Sequence, residues 1–172
     1  WPFFRYLAAR SPAQPVCWLG WITFVASGRC ARKLATREAL ALARVDAKVI
    51  WAVKADARAT PPDLARALAW RADLIVHSRG EASFVADAGD APRAIRIETR
   101  GADGVAIFHD GGEEHVGVEP LGVEDTTGAG DTWLGGFLAA HLVRGAALGE
   151  AARAGAMSVR ALLAGRSAEL RR

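Results

Sequence analysis

The sequence predicts an α/β domain, a mainly parallel sheet flanked by helices, with a β-hairpin before the C-terminal helices. Three observations carry that expectation. Short apolar strand-like runs alternate with helical periods between residues 47 and 99, two further runs flank Asp110-Gly111-Gly112, and two helical stretches close the chain. Strands that alternate with helices favour parallel pairing through crossover connections. A chain of 172 residues, 51% hydrophobic and 24% charged, is neither disordered, collagen-like nor a disulfide scaffold.

Residues 1–30 have no clean period of 2 or 3.6 although they hold Trp1, Trp18 and Trp21. Ala31–Arg44 reads as a helix and Ala47–Val53 as a strand. Pro61 and Pro62 suit a helix start, so Asp63–Arg71 follows as a helix. A strand at Asp73–His77, a helix at Glu81–Ala88 and a strand at Ala94–Thr99 come next. That last strand alternates Arg96 and Glu98 with apolar neighbours, whereas a parallel strand covered on both faces is nearly all apolar. Either one of its faces is exposed or its burial is compromised. Val105–His109 and Glu114–Val118 flank the turn residues as a hairpin. Helices over Gly128–Arg144 and Gly149–Ala164 end the reading.

The formal charge of +3 invites a nucleic-acid reading until the charges are mapped. Residues 1–44 hold seven basic side chains and one acid, Glu38, whereas residues 101–131 hold eight acids and no Lys or Arg. No zinc spacing, RNA-recognition signature or heptad zipper accompanies the basic end, so no nucleic-acid partner is expected. The apolar run Pro15–Ala26 is too short to span a bilayer, so no membrane partner is expected. Cys17 and Cys30 form no C-x-x-C motif and define no framework, so reduced thiols and a cytoplasmic location follow. His109, Asp110, Glu113, Glu114 and His115 can be read as a metal cluster. Their place beside a hairpin turn, without H-E-x-x-H spacing, reads better as ordinary turn polarity. His77 and His141 read as structural, and Trp133, Phe137 and His141 as core spacing.

The chemistry lies in Val123–Ala140, V-E-D-T-T-G-A-G-D-T-W-L-G-G-F-L-A-A. Small residues at Gly128-Ala129-Gly130 allow a tight turn whose N–H groups converge on an anion, and the helix that follows adds unpaired donors and a favourable dipole. Asp131 sits in the first turn, as a helix cap or as a catalytic carboxylate. A carboxylate beside an anion hole suits phosphoryl transfer, accepting the proton of an attacking hydroxyl. No G-x-x-x-x-G-K-[ST] loop occurs. A G-x-G-x-x-G reading from Gly128 fails at Trp133.

At these residues the sequence resembles the ribokinase/PfkB carbohydrate kinase family. D-T-T-G-A-G-D with the G-G-F-L-A-A helix is similar to that family's C-terminal signature, and Thr99-Arg100-Gly101-Ala102-Asp103-Gly104 to its T-x-G segment. Ser78-Arg79-Gly80-Glu81-Ala82 stands where the family has N-x-x-E-A. The resemblance covers about Ala31 to Ala164 and implies a ribokinase-like fold over residues 31–172. On this view the chain is the C-terminal part of a kinase domain whose N-terminal half and lid are absent, as the missing initiator Met also suggests.

The resemblance implies an ATP-dependent phosphotransferase moving the γ-phosphoryl to an alcohol of a sugar or nucleoside. Asp131 would be the base, and Gly128, Ala129 and Gly130 the anion hole with the Asp131 N–H. Thr99, Gly101 and Gly104 would bind ATP, and Glu81 would hold Mg2+ through water. Asp125 and Thr127 match a monovalent-cation (K+) site of some relatives, and the resemblance allows a homodimer of the full-length parent. Three departures stand out: Ser78 for Asn, Lys54-Ala55-Asp56-Ala57-Arg58 for D-x-N-x-R, and Ala156 near a usual Asn or His. They motivate an alternative from another class, a truncated, catalytically silent nucleotide-binding or interaction domain.

Overall fold

The computed structural model describes residues 16–18, 48–53, 55, 60–110, 112–123 and 125–169. The helix expected over Ala31–Arg44 lies outside them, as do Cys30, Lys54, Asp56, Ala57 and Arg58. Of the run Pro15–Ala26 they include only a short strand, β1 (Val16–Trp18). Contacts divide the chain into two units, Trp1–Glu98 with Phe108–Gly111, and Thr99–Ile107 with Gly112–Arg172.

In the first unit β1, β2 (Lys48–Ala52), β3 (Leu74–Ser78) and β4 (Ile95–Thr99) neighbour one another in chain order. Both registered pairings, Val16↔Lys48 through Trp18↔Ile50 and Ile50↔Leu74 through Ala52↔Val76, are parallel. Helix α1 (Pro62–Arg71) makes the crossover between β2 and β3. The prolines place it: Pro62 takes a first-turn position where its missing N–H costs nothing. Its apolar face, Leu64, Ala65, Leu68 and Ala69, packs with Val49, Trp51, Ile75 and Val85 into one core. Trp51 meets Phe84 edge-on at 6.3 Å between ring centres, anchoring the short helix α2 (Ala82–Asp87).

Asp73 sets the register where β3 begins. It accepts the Val49 N–H at 2.8 Å on Oδ2, lies 3.5 Å from Lys48 Nζ, and its own carbonyl receives the Ile95 N–H at 3.0 Å. The charged strand β4 resolves into one exposed and one buried charge. Arg96 is exposed with its guanidinium over the Phe108 ring at 5.1 Å, whereas Glu98 is buried. Arg96 and Glu98 share one face of the strand, which is open at Arg96 and covered at Glu98, so the burial of that face is compromised by a carboxylate.

Strand β5 (Val105–His109), of which Val105–Ile107 belong to the second unit, neighbours β6 (Gly112–Val116), antiparallel because so few residues join them. The second strand begins two residues before the expected Glu114, because Gly112, at φ 117, takes a strand position that a side chain would resist. Helix α3 (Ala129–Leu138) continues as a wider π-helical turn over Ala139–Val143 rather than as the regular helix expected to Arg144. Gly145, at φ 72, follows that turn, and the Ala146 N–H closes onto the Ala140 carbonyl at 3.0 Å.

Helix α4 (Leu148–Glu169) is longer than its expected span. Gly165 does not stop it, since its φ is not positive. α3 lies along α4 through small residues: a Cβ on Gly155 would meet the Trp133 carbonyl oxygen at 2.7 Å, and one on Gly136 would collide with Ser158. Trp133 stacks on Phe137 at 5.1 Å and Phe137 on His141 at 5.7 Å, so the expected core spacing is realised. His77 and His141 are held by carbonyl oxygens of Ser78 and Ala146, each at 2.9 Å.

Candidate functional site

The turn that opens α3 is built by its own side chains. Asp125 Oδ1 accepts the Thr127 N–H at 2.9 Å, a closure Asp favours in turns. Gly128 then takes φ 78, a left-handed conformation that costs glycine little. The Ala129 N–H donates back to the Thr126 carbonyl at 3.0 Å, and the first intrahelical bond runs from Thr132 N–H to the Gly128 carbonyl at 2.9 Å.

Between these two bonds, the N–H groups of Gly130 and Asp131 have no backbone acceptor among the described residues. A helix leaves such donors at its mouth, where its dipole favours negative charge. Of the three N–H groups expected to form an anion hole, those of Gly130 and Asp131 have no such acceptor, whereas that of Ala129 is engaged in the turn. The Asp131 carboxylate is exposed beside them.

Arg166, near the C-terminal end of α4, was not singled out by its sequence. Its Nη1 donates to the Thr127 carbonyl at 2.7 Å and lies 3.5 Å from Asp125 Oδ2. Its Nη2 stands 4.0 Å from where a Cβ on Gly128 would be. The Asp125 carboxyl is held below its ordinary value of 3.8. The Thr127 hydroxyl contributes most, then the Thr127 N–H, with the Arg166 charge adding to both against desolvation. Of the two residues matched to a monovalent cation, the Asp125 carboxylate and the Thr127 carbonyl are thus both engaged by a guanidinium, so this arrangement does not fit K+.

Thr99, Gly101 and Gly104 lie in the same unit, around the turn between β4 and β5. Their turn closes on itself, with Arg100 N–H donating to the Gly104 carbonyl at 2.8 Å. Gly101 is exposed at φ 60. Gly104 is buried at φ 89, where a Cβ would collide with the Val116 carbonyl. Gly104 thus has a packing role whether or not a ligand lies near it.

Glu81 belongs to the first unit. Its Oε2 accepts both the Ser78 N–H and the Ser78 hydroxyl at 2.8 Å, and its Oε1 takes the Ala55 N–H at 3.4 Å. Ser78, standing where Asn was expected, completes a capping box with it. No group of three or more His, Cys, Asp or Glu among the described residues could hold a metal ion, which includes the residues flanking the hairpin. His115 Nε2 instead meets the Asp103 carbonyl at 2.9 Å, and Glu113 pairs with Arg100 at 3.5 Å. No helix among the described residues is long and apolar enough to cross a membrane.

Residues 73–168, more than half of the chain, match the family model described as pfkB family carbohydrate kinase. The chain is 39% identical over 72 residues to inositol 3-kinase of Zea mays, covering 42% of this chain and 19% of the relative. It is 36% identical over 89 residues to adenosine kinase 1 of Arabidopsis thaliana, covering 50% and 26%. Among solved structures, the ligand-free nucleoside kinase of Burkholderia thailandensis superposes with a TM-score of 0.67 at 25% identity, over 77% of this chain and 46% of that one. An archaeal nucleoside kinase from Methanocaldococcus jannaschii gives 0.63 at 19% identity, over 72% and 44%. The chain thus spans about a quarter or less of the curated relatives it matches and under half of these two structures.

Proposed function

From the premise that this chain belongs to the pfkB family of carbohydrate kinases, we propose that it carries the phosphate-holding loop and the base of an ATP-dependent sugar or nucleoside kinase. The observation that carries this reading is the mouth of α3: two donor N–H groups without backbone acceptors beside an exposed carboxylate. ATP supplies an activated phosphoryl group whose transfer is promoted mainly by positioning and charge stabilisation.

The N–H groups of Gly130 and Asp131 hold the phosphoryl oxygens. Ala129 joins them once its N–H leaves the Thr126 carbonyl, and Gly128 permits the turn. The Asp131 carboxylate takes the proton from the acceptor hydroxyl as that oxygen bonds to phosphorus and the bond to ADP breaks. Thr99, Gly101 and Gly104 would line the nucleotide, and Glu81 would hold Mg2+ through water, where the ion would offset phosphate charge. A nucleoside or sugar alcohol as acceptor is supported by the names of the relatives, which include a structure of the Burkholderia enzyme in complex with inosine.

The test is ADP release by this chain, and by a longer protein containing it, with Asp131→Asn beside the parent. Turnover should fall about 10²–10⁴-fold, the usual worth of a positioned base, while Mg·ATP affinity changes little. Unchanged turnover in the variant would remove Asp131 as the base. If the chain bound Mg·ATP without turnover, the silent nucleotide-binding domain would be the better description.

A further inference from the structure

We propose that Arg166 is a positioning residue that supplies from within the chain the positive charge of the 125–128 turn, making that turn independent of a monovalent cation. The inference rests on the kinase reading for its consequence and on geometry for its substance. A cation at this turn would need the Asp125 carboxylate for charge and an outward-facing carbonyl for coordination. Arg166 engages both with one nitrogen, at 3.5 Å from Asp125 Oδ2 and 2.7 Å from the Thr127 oxygen. The planar fork brings Nη2 towards Gly128, the hinge of the turn.

An exposed ion pair alone is worth little in water. The bond to the carbonyl is charge-assisted and shorter, and it restrains the backbone residue just before Gly128. Its effect falls on the pose of the turn, and so on where the N–H groups of Gly130 and Asp131 stand. A guanidinium stays charged at every working pH and cannot diffuse away, so the turn is set before nucleotide arrives.

Hydrogen exchange across residues 125–132 tests this on the nucleotide-free chain, in potassium chloride and in tetramethylammonium chloride at equal ionic strength. The parent should exchange equally in both salts. Arg166→Ala should exchange about ten-fold faster in tetramethylammonium, the effect of losing one charge-assisted hydrogen bond, and K+ should slow it again by occupying the vacated partners. Arg166→Lys should stay close to the parent, and Arg166→Gln, which keeps length without charge, should follow the Ala variant.

Exchange in the parent that responds to K+, or exchange in both uncharged variants that matches the parent, would overturn the proposal. Mg·ATP affinity, measured in the same salts, separates the two readings. If exchange behaves as expected and no variant or parent binds nucleotide, the kinase reading fails while the role of Arg166 stands. If nucleotide binds and exchange ignores Arg166, the reverse holds.

Discussion

Asp125 and Asp131 bracket the same turn, and their exposed carboxylates differ in what faces them. Asp125 accepts the Thr127 N–H and pairs with Arg166, whereas Asp131 has no cation paired with it among the described residues. One carboxylate shapes the backbone, and the other stands exposed at the helix mouth. The depressed pKa of Asp125 gives the first role a pH signature. A carboxyl whose folded pKa lies below its unfolded value contributes stability that is fully present above the unfolded value. That contribution is lost as pH falls through the folded value. Asp125→Asn keeps an oxygen for the Thr127 N–H and removes the charge. The melting-temperature advantage of the parent over this variant should therefore be constant above the ordinary carboxyl value and shrink as pH falls through the lower folded value, until it is lost. An advantage that grows on acidification would contradict the assignment.

At the scale of elements, the mouth of α3 is fixed by how closely α3 meets α4. Gly155 lets the Trp133 backbone and indole ring approach its Cα, with the Trp133 side chain buried and stacked on Phe137. Gly155→Ala must push against the Trp133 carbonyl, a backbone atom that cannot rotate away, so it should destabilise by about 1–3 kcal/mol despite Ala's better helix propensity. Gly165 lies in the same helix with nothing within 4 Å of its missing Cβ. Gly165→Ala should stabilise by about 0.5–1 kcal/mol. Urea denaturation of the pair checks both signs, and equal effects would mean that the close approach is not the reason for Gly155.

Element types were legible from the sequence where periodicity and punctuation agreed. Pro61-Pro62 placed the start of α1, and alternating runs placed β3 to β5 within a residue or so. One misplaced end traces to a glycine read as a turn residue, Gly112, which sits in a strand. Within the site, the local string 125–131 was legible because turn, donors and carboxylate are neighbours in sequence. Arg166 was not, because nothing local marks an arginine thirty-nine residues beyond Thr127 as its partner.

Across the molecule, charge is arranged so that the acidic stretch of residues 101–131 draws its cations from outside. Arg100 pairs with Glu113, Arg160 with Glu119 and Arg166 with Asp125. None of these pairs uses Asp131.

The portion matched covers 46% of the Burkholderia nucleoside kinase, and the groups assembled in the second unit are suited to a phosphate. None of the described side chains has been tied to a sugar. The chain should therefore respond to the nucleotide and not to an acceptor. Ligand at a hundred times its Kd stabilises by about 2.7 kcal/mol. In a domain of this size that raises the melting temperature by about 5–10 °C. Mg·ATP should produce such a rise, and inosine or a free sugar added with it should produce no more. A further rise with the acceptor would place acceptor contacts within this chain, and a rise with the acceptor alone would contradict the assignment of its phosphate-facing half.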